Sequence, residues 1–258
     1  MNVNQLFDLH GRVAIVTGGS RGLGLQIAEA LGEMGAKVAL TARKKDELDS
    51  AVAHLAKLGI EANAWVCDMG KREQIPPVAD AILAKYGKVD ILVNNAGATW
   101  GAPAEDHPLE AWDKLVNLNL TGTFVLTQII AKKSMIPAKW GRIVNISSVA
   151  GLYASDPAVV RTVAYNATKH GVVGMTKQLA AEWGEHGITV NAICPGFFPS
   201  KMTRATLDTT GELVRKVTPT RRLGGPEDLK GLAVLLASEA SRHITGQTIA
   251  VDGGASLI

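Results

Sequence analysis

Seven short runs of nearly continuous hydrophobicity recur along the chain: RVAIVT (12–17), KVALTA (37–42), ANAWVC (62–67), DILVNN (90–95), GRIVNIS (141–147), ITVNAIC (188–194) and QTIAVD (247–252). A strand with one wet face alternates apolar and polar residues, so runs this solidly apolar predict strands covered on both faces. Between them the apolar residues fall at helical spacing, as at Ile27, Leu31 and Met34, or at Leu109, Trp112, Leu115 and Val116. Strand and helix alternating from end to end predict a parallel sheet with right-handed crossovers. Gly35, Gly59, Gly87 and Gly187 each follow a helical run and precede a strand, where a left-handed C-cap suits glycine. No linker, low-complexity segment or repeat interrupts the alternation, so residues 1–258 are read as one doubly wound domain.

Composition narrows the class. Hydrophobic residues make up 47% of the chain, charged residues 20%, and there are 27 glycines, a balance that predicts a large core with many tight turns and excludes disorder. The net charge of +3 is spread out, with no run of five Lys or Arg and no aromatic residues among the basic ones, which argues against a nucleic-acid partner. Cys67 and Cys194 lie inside apolar runs and are read as buried reduced thiols. The opening MNVNQLFDLHGR has no charged segment leading into an apolar one, and no stretch reaches the ~18 apolar residues of a membrane span. A cytoplasmic protein without a membrane partner is expected. The six histidines show no ligand spacing, so no catalytic metal is expected either.

Candidate chemistry begins at TGGSRGLG (17–24), directly after the first strand and leading into an amphipathic helix. In that context Gly18, Gly22 and Gly24 permit a tight turn, a close backbone approach to a ligand and tight helix–sheet packing. The free amides at the helix start favour a pyrophosphate. At the end of the second strand the chain reads TARKK (41–45), without the carboxylate that binds a ribose 2′-hydroxyl. Arg43 is placed to clamp a 2′-phosphate and Arg21 to add a second charge, which favours NADP(H) over NAD(H).

With TGGSRGLG, NNAG (94–97), NISS (145–148), YNATK (165–169) and CPG (194–196) in order, the chain resembles the short-chain dehydrogenase/reductase family. The resemblance runs from about Leu9 to the closing ITGQTIAVDGG (244–254). It implies a Rossmann-like sheet in the order 3-2-1-4-5-6-7, hydride transfer between NADP(H) and a carbonyl or secondary alcohol, and a homotetramer. It implies Ser148, Tyr165 and Lys169 as catalytic residues, with Asn119 of NLNLTG as the fourth. On the cofactor it places Gly18, Ser20, Arg21, Gly22, Leu23, Gly24 and Arg43, then Asp68 at the adenine, Met69, Asn95, Ala96 and Gly97. Tyr165, Lys169, Pro195, Gly196, Phe198 and Ser200 complete that set, and Asn94 steadies the fourth strand.

The residues themselves suit that chemistry. A carbonyl that accepts a hydride builds charge on oxygen and needs a positioned acid. A phenol with a pKa near 10 is a poor acid–base group at neutral pH, and an ammonium close by lowers that value. Lys169 lies at i+4 from Tyr165, on the same helix face. Ser148 follows the fifth strand at the sheet edge where open α/β folds bind ligands, whereas Ser147 points to the opposite face. Asn119 shares a helix face with Trp112, Leu115, Val116 and Leu126 and is therefore turned inward. Two roles stay open for it: holding a water that connects to Lys169, or a structural amide bonded to backbone.

The substrate side is less constrained. LYASDPAVVRT (152–162) borders the expected pocket, and residues 197–218 read as a mobile flap that brings Phe197, Met202 and Phe198 towards the substrate beside Ser148 and Tyr165. Arg161 and Arg204 sit near the mouth. The chain is similar both to 3-oxoacyl thioester reductases and to gluconate 5-dehydrogenases, and it leans toward a 3-oxoacyl or similar ketone. A rival of another class, a non-catalytic NADP(H)-binding sensor, needs no proton donor, which the intact Ser148, Tyr165 and Lys169 argue against.

Overall fold

The computed structural model describes residues 1–257. Its strands are β1 (Val13–Thr17), β2 (Lys37–Ala42), β3 (Ala62–Val66), β4 (Ile91–Asn94), β5 (Gly141–Ile146), β6 (Ile188–Pro195) and β7 (Thr248–Val251). They form one sheet in the order β3-β2-β1-β4-β5-β6-β7, parallel throughout, the order that the resemblance implies. The winding reverses between β1 and β4, and ligands of open sheets bind at such a reversal.

The solid apolar runs are explained by the two layers they serve. Ala14, Val16, Val38 and Leu40 face a core with Ile27 and Leu31 of α2 (Gly22–Glu33) and Leu48 and Leu55 of α3 (Lys45–Lys57). Val13, Ile15, Ala39 and Leu92 face the opposite core, with Ile75 and Ile82 of α4 (Ile75–Tyr86). Each Val, Leu or Ile among them contributes about 1.5–3 kcal/mol on burial. Every residue of β1, β5 and β6 is buried. ANAWVC and QTIAVD differ from expectation: β3 and β7 are the sheet's edges and are only partly covered, with Val66 half exposed. An edge strand lacks a neighbour on one side, and hydropathy alone does not reveal that position.

The glycines expected as helix caps all have left-handed φ, from +70° at Gly187 to +96° at Gly35. The short α1 (Val3–Phe7) carries a capping box of Asn2 and Gln5. The helical run from Leu109 is not regular. It contains α5 (Leu109–Val116), α6 (Gly122–Ile130) and the short α7 (Ile136–Ala138), joined by π-helical segments Asn117–Thr121 and Ala131–Met135. Gly122 lets the first of these press against the loop after β3: a Cβ there would lie 2.0 Å from the Met69 carbonyl oxygen. Then come α8 (Val163–Trp183), α9 (Arg204–Val217) within the expected flap, and α10 (Lys230–Ala237), which packs on α2. Segment 152–162 folds as turns pinned to the loop after β4, where the Ala102 amide donates to the Arg161 carbonyl at 3.0 Å. Among the described residues no helix is long and apolar enough to cross a membrane, and no three His, Cys, Asp or Glu are grouped to hold a metal ion.

Candidate active site

A cleft of about 380 Å³ opens at the carboxyl ends of the central strands. Every residue expected on the cofactor lines it, from Gly18 in the glycine-rich turn to Ser200 in the flap, and so do Ser148 and Met202. Phe197 and Asn119 are not among its lining residues.

The glycine-rich turn is held by the loop after β4. The Thr17 hydroxyl accepts from the backbone amides of Asn95 and Ala96, each at 3.0 Å. In return the Asn95 amide donates to the carbonyls of Thr17 at 2.9 Å and Gly18 at 3.2 Å. No side chain caps the first turn of α2, so its amides are left to an outside acceptor, and the helix dipole makes an anion the favoured one. Gly22 has φ +55° and nothing within 4 Å of where a Cβ would be, so the cradle opens on the cleft. These features fit a dinucleotide pyrophosphate.

At the far end, Thr41 near the end of β2 has a buried hydroxyl with no partner, and Arg43 is exposed and makes no ion pair among the described residues. Arg21 is engaged: its guanidinium donates to Glu47 at 2.7 Å. Glu47 went unrecognised in the sequence, where a glutamate in a first helical turn reads as ordinary dipole compensation.

At the inner end, β5 delivers Ser147 and Ser148 while the first two turns of α8 deliver Tyr165 and Lys169. The Ser147 hydroxyl is buried and donates to the Lys169 carbonyl at 3.0 Å, tying α8 to the strand end. Ser148 accepts from the Ala150 amide at 3.1 Å, and its side chain interacts with the Tyr165 phenol. The Lys169 ammonium donates to the Ile146 carbonyl at 2.7 Å and sits 5.6 Å from the centre of the Tyr165 ring.

Electrostatics differ from the expectation that Lys169 lowers the phenol. Burial raises Tyr165 above its ordinary value, opposed by its hydrogen bond with Ser148. Burial also pushes the Lys169 ammonium down to about 8. Both are effects of burial: the groups are poorly solvated, and the one carbonyl that accepts from Lys169 does not replace the water its ammonium gives up. Beneath them lies Cys194, fully buried and free, its thiol raised by burial and drawn back by contacts with Ser148, Ser147 and Lys169. Reading it only as a buried thiol overlooked that place.

Asn119 is buried as expected, and both ends of its amide are used. Oδ1 accepts from the Ala98 amide at 2.9 Å, while Nδ2 donates to the Ala98 carbonyl at 3.0 Å and to Thr168 Oγ1 at 3.1 Å. These bonds clamp the loop after β4 to α8. Phe198 lines the cleft with its ring packed into the core over Gly224, where a Cβ would be 2.4 Å away. It anchors the flap while Met202, half exposed, and Lys201 line the cleft. Arg161 and Arg204 stay exposed outside it.

Comparison with known proteins agrees with this geometry. Residues 12–211 match the family model for short chain dehydrogenase. Gluconate 5-dehydrogenase of Gluconobacter oxydans is 38% identical, over 100% of this chain and 99% of its own. The 3-oxoacyl-[acyl-carrier-protein] reductase of Thermotoga maritima is 37% identical, over 95% of this chain and 98% of its own. The crystal structure of a gluconate 5-dehydrogenase from Burkholderia cenocepacia, in complex with NADP and tartrate, superposes with a TM-score of 0.93 at 35% identity, covering 100% of both chains. The chain therefore belongs to the short-chain dehydrogenase family and is an NAD(P)-dependent oxidoreductase of that family.

Proposed function

We propose that this enzyme interconverts a carbonyl and a secondary alcohol on a small polar substrate with NADP(H), using Tyr165 as the acid and base. The observation that carries the reading is the convergence of Tyr165, Ser148 and Lys169 at the inner end of the cleft that begins at the glycine-rich turn. The nicotinamide supplies or takes the hydride. Tyr165 gives its proton to the carbonyl oxygen during reduction, and Ser148 donates a hydrogen bond to the same oxygen. The Lys169 ammonium, 5.6 Å from the ring centre, offsets part of the burial that otherwise disfavours the phenolate. Because burial holds the phenol protonated at neutral pH, it is poised as an acid. The exposed Arg43 and the NADP found in the Burkholderia cenocepacia structure support NADP(H) over NAD(H).

For the substrate, a hydroxylated carboxylate or polyol is favoured over a 3-oxoacyl thioester. Lys201 supplies a cation to the cleft, and a gluconate 5-dehydrogenase matched over its full length was captured with tartrate. Met202 and the Thermotoga maritima relative support the thioester as the second reading. The exposed apolar residues Leu109, Phe124 and Val163, on α5, α6 and α8, support assembly into a homotetramer.

The deciding experiment is a panel of sugar acids, polyols and 3-oxoacyl thioesters, assayed with each cofactor. Turnover of sugar acids or polyols is expected. Turnover of thioesters alone would replace that class, and NADPH binding without turnover of anything would leave only a sensor.

A further inference from the structure

Glu47 stands on the first turn of α3 and faces the glycine-rich turn across the outer end of the cleft. Its carboxylate accepts from Arg21 Nη1 at 2.7 Å and from Ser20 Oγ at 3.4 Å, and lies 3.6 Å from Lys44 Nζ. The Glu47 side chain is 23% exposed, against 48% for Arg21 and 59% for Lys44. The acid is therefore the anchored member, and the two cations gather on it. Arg43 alone is left uncommitted at this end.

Two cations beside the expected 2′-phosphate position are thus already paired with an internal anion. A 2′-phosphate must share or displace that carboxylate, and the two negative charges repel. A ribose with a plain 2′-hydroxyl carries no charge to repel and offers a donor that a carboxylate accepts. We propose that Glu47 is a cofactor-selectivity residue that weakens the preference for NADP(H) over NAD(H) by holding Arg21 and Lys44. The proposal rests on the cofactor reading above and deepens it: Arg43 draws the phosphorylated cofactor, and Glu47 keeps the other one admissible.

Calorimetric dissociation constants for 2′,5′-ADP, 5′-AMP, NADPH and NADH, without substrate, test this in the wild type, Glu47→Gln and Arg21→Ala. Glu47→Gln is expected to tighten 2′,5′-ADP and NADPH on the order of tenfold relative to 5′-AMP and NADH, an effect that shrinks at high salt. In the Arg21→Ala background the same substitution is expected to change the ratio less, because the cation that Glu47 restrains is gone. An unchanged ratio in Glu47→Gln, or equal weakening of all four ligands as from a structural loss, overturns the proposal alone. Wild type that binds none of the four overturns the cofactor reading as well.

Discussion

The Lys169 ammonium donates to the Ile146 carbonyl at 2.7 Å, at the point where α8 crosses the end of β5. One backbone acceptor does not replace the water that a buried cation gives up, and Lys169 falls to about 8 from 10.5. The sign of the linkage follows. Between pH 8 and 10.5 the unfolded chain holds a proton that the native chain has released, so folding weakens as pH drops through that window. Relative to Lys169→Met, the wild type is expected to gain up to about 3 kcal/mol between pH 7.5 and 10.5. Urea melts of both proteins across that range check it, and a constant difference contradicts the assignment.

Tyr165→Phe removes one oxygen and leaves the ring packed. Turnover is expected to fall by roughly a hundredfold or more, because the positioned acid is gone. NADPH affinity is expected to change by no more than about twofold, since the other cofactor contacts remain. Steady-state kinetics and NADPH fluorescence titration separate the two effects, and retained kcat rules out the phenol as proton donor.

Much of this was legible in the chain. Apolar runs and helix-capping glycines marked the strands, and the motifs gathered into one cleft because a parallel sheet brings all strand carboxyl ends to one edge. What stayed hidden depends on packing across distance in sequence. Ala62–Val66 and Thr248–Val251 read like inner strands, and only the order of the sheet makes them edges. Asn119 faces inward at helical spacing, but its pairing with the Ala98 backbone depends on how the π-helical segment Asn117–Thr121 meets the loop after β4. Glu47 and Arg21 lie 26 residues apart, and no local pattern joins them.

Arg43→Ala tests the charge at the end of β2. NADPH affinity is expected to drop roughly tenfold and NADH affinity to change little, because only the first carries the 2′-phosphate. Equal losses in calorimetric titration would remove that role.

Gly24→Ala and Gly22→Ala separate two uses of glycine in one turn. A Cβ at Gly24 would lie 2.4 Å from both the Gly18 carbonyl oxygen and the Asn95 amide nitrogen, so backbone must move. Loss of NADPH binding together with a lowered Tm is expected. At Gly22 a Cβ meets nothing within 4 Å, but φ is +55°, which costs about 1 kcal/mol for alanine. Here NADPH binding is expected to suffer more than stability, because Gly22 lines the cleft and its Cβ would meet no protein atom. Equal Tm losses in thermal melts of the two variants would contradict the distinction.

At the opposite edge of the sheet, Arg142 on β5 is almost completely buried. Its guanidinium donates to the carbonyls of Ser238 at 3.0 Å, Gly141 at 2.9 Å and Gly187 at 3.3 Å, and pairs with Glu239 at 3.4 Å. It also lies 4.4 Å from the centre of the Trp140 ring, with Arg12 of the segment before β1 at 3.6 Å from that ring. Burial lowers the guanidinium from its ordinary value while Glu239 raises it, so the cation is held by its partners rather than by water. Arg142→Ala strips three carbonyls of a donor and is expected to cost about 3 kcal/mol in chemical denaturation. The cleft lies at the other ends of the strands, so KM for cofactor and substrate should stay near wild type in the folded fraction. A KM shift without loss of stability would place Arg142 in communication with the active site instead.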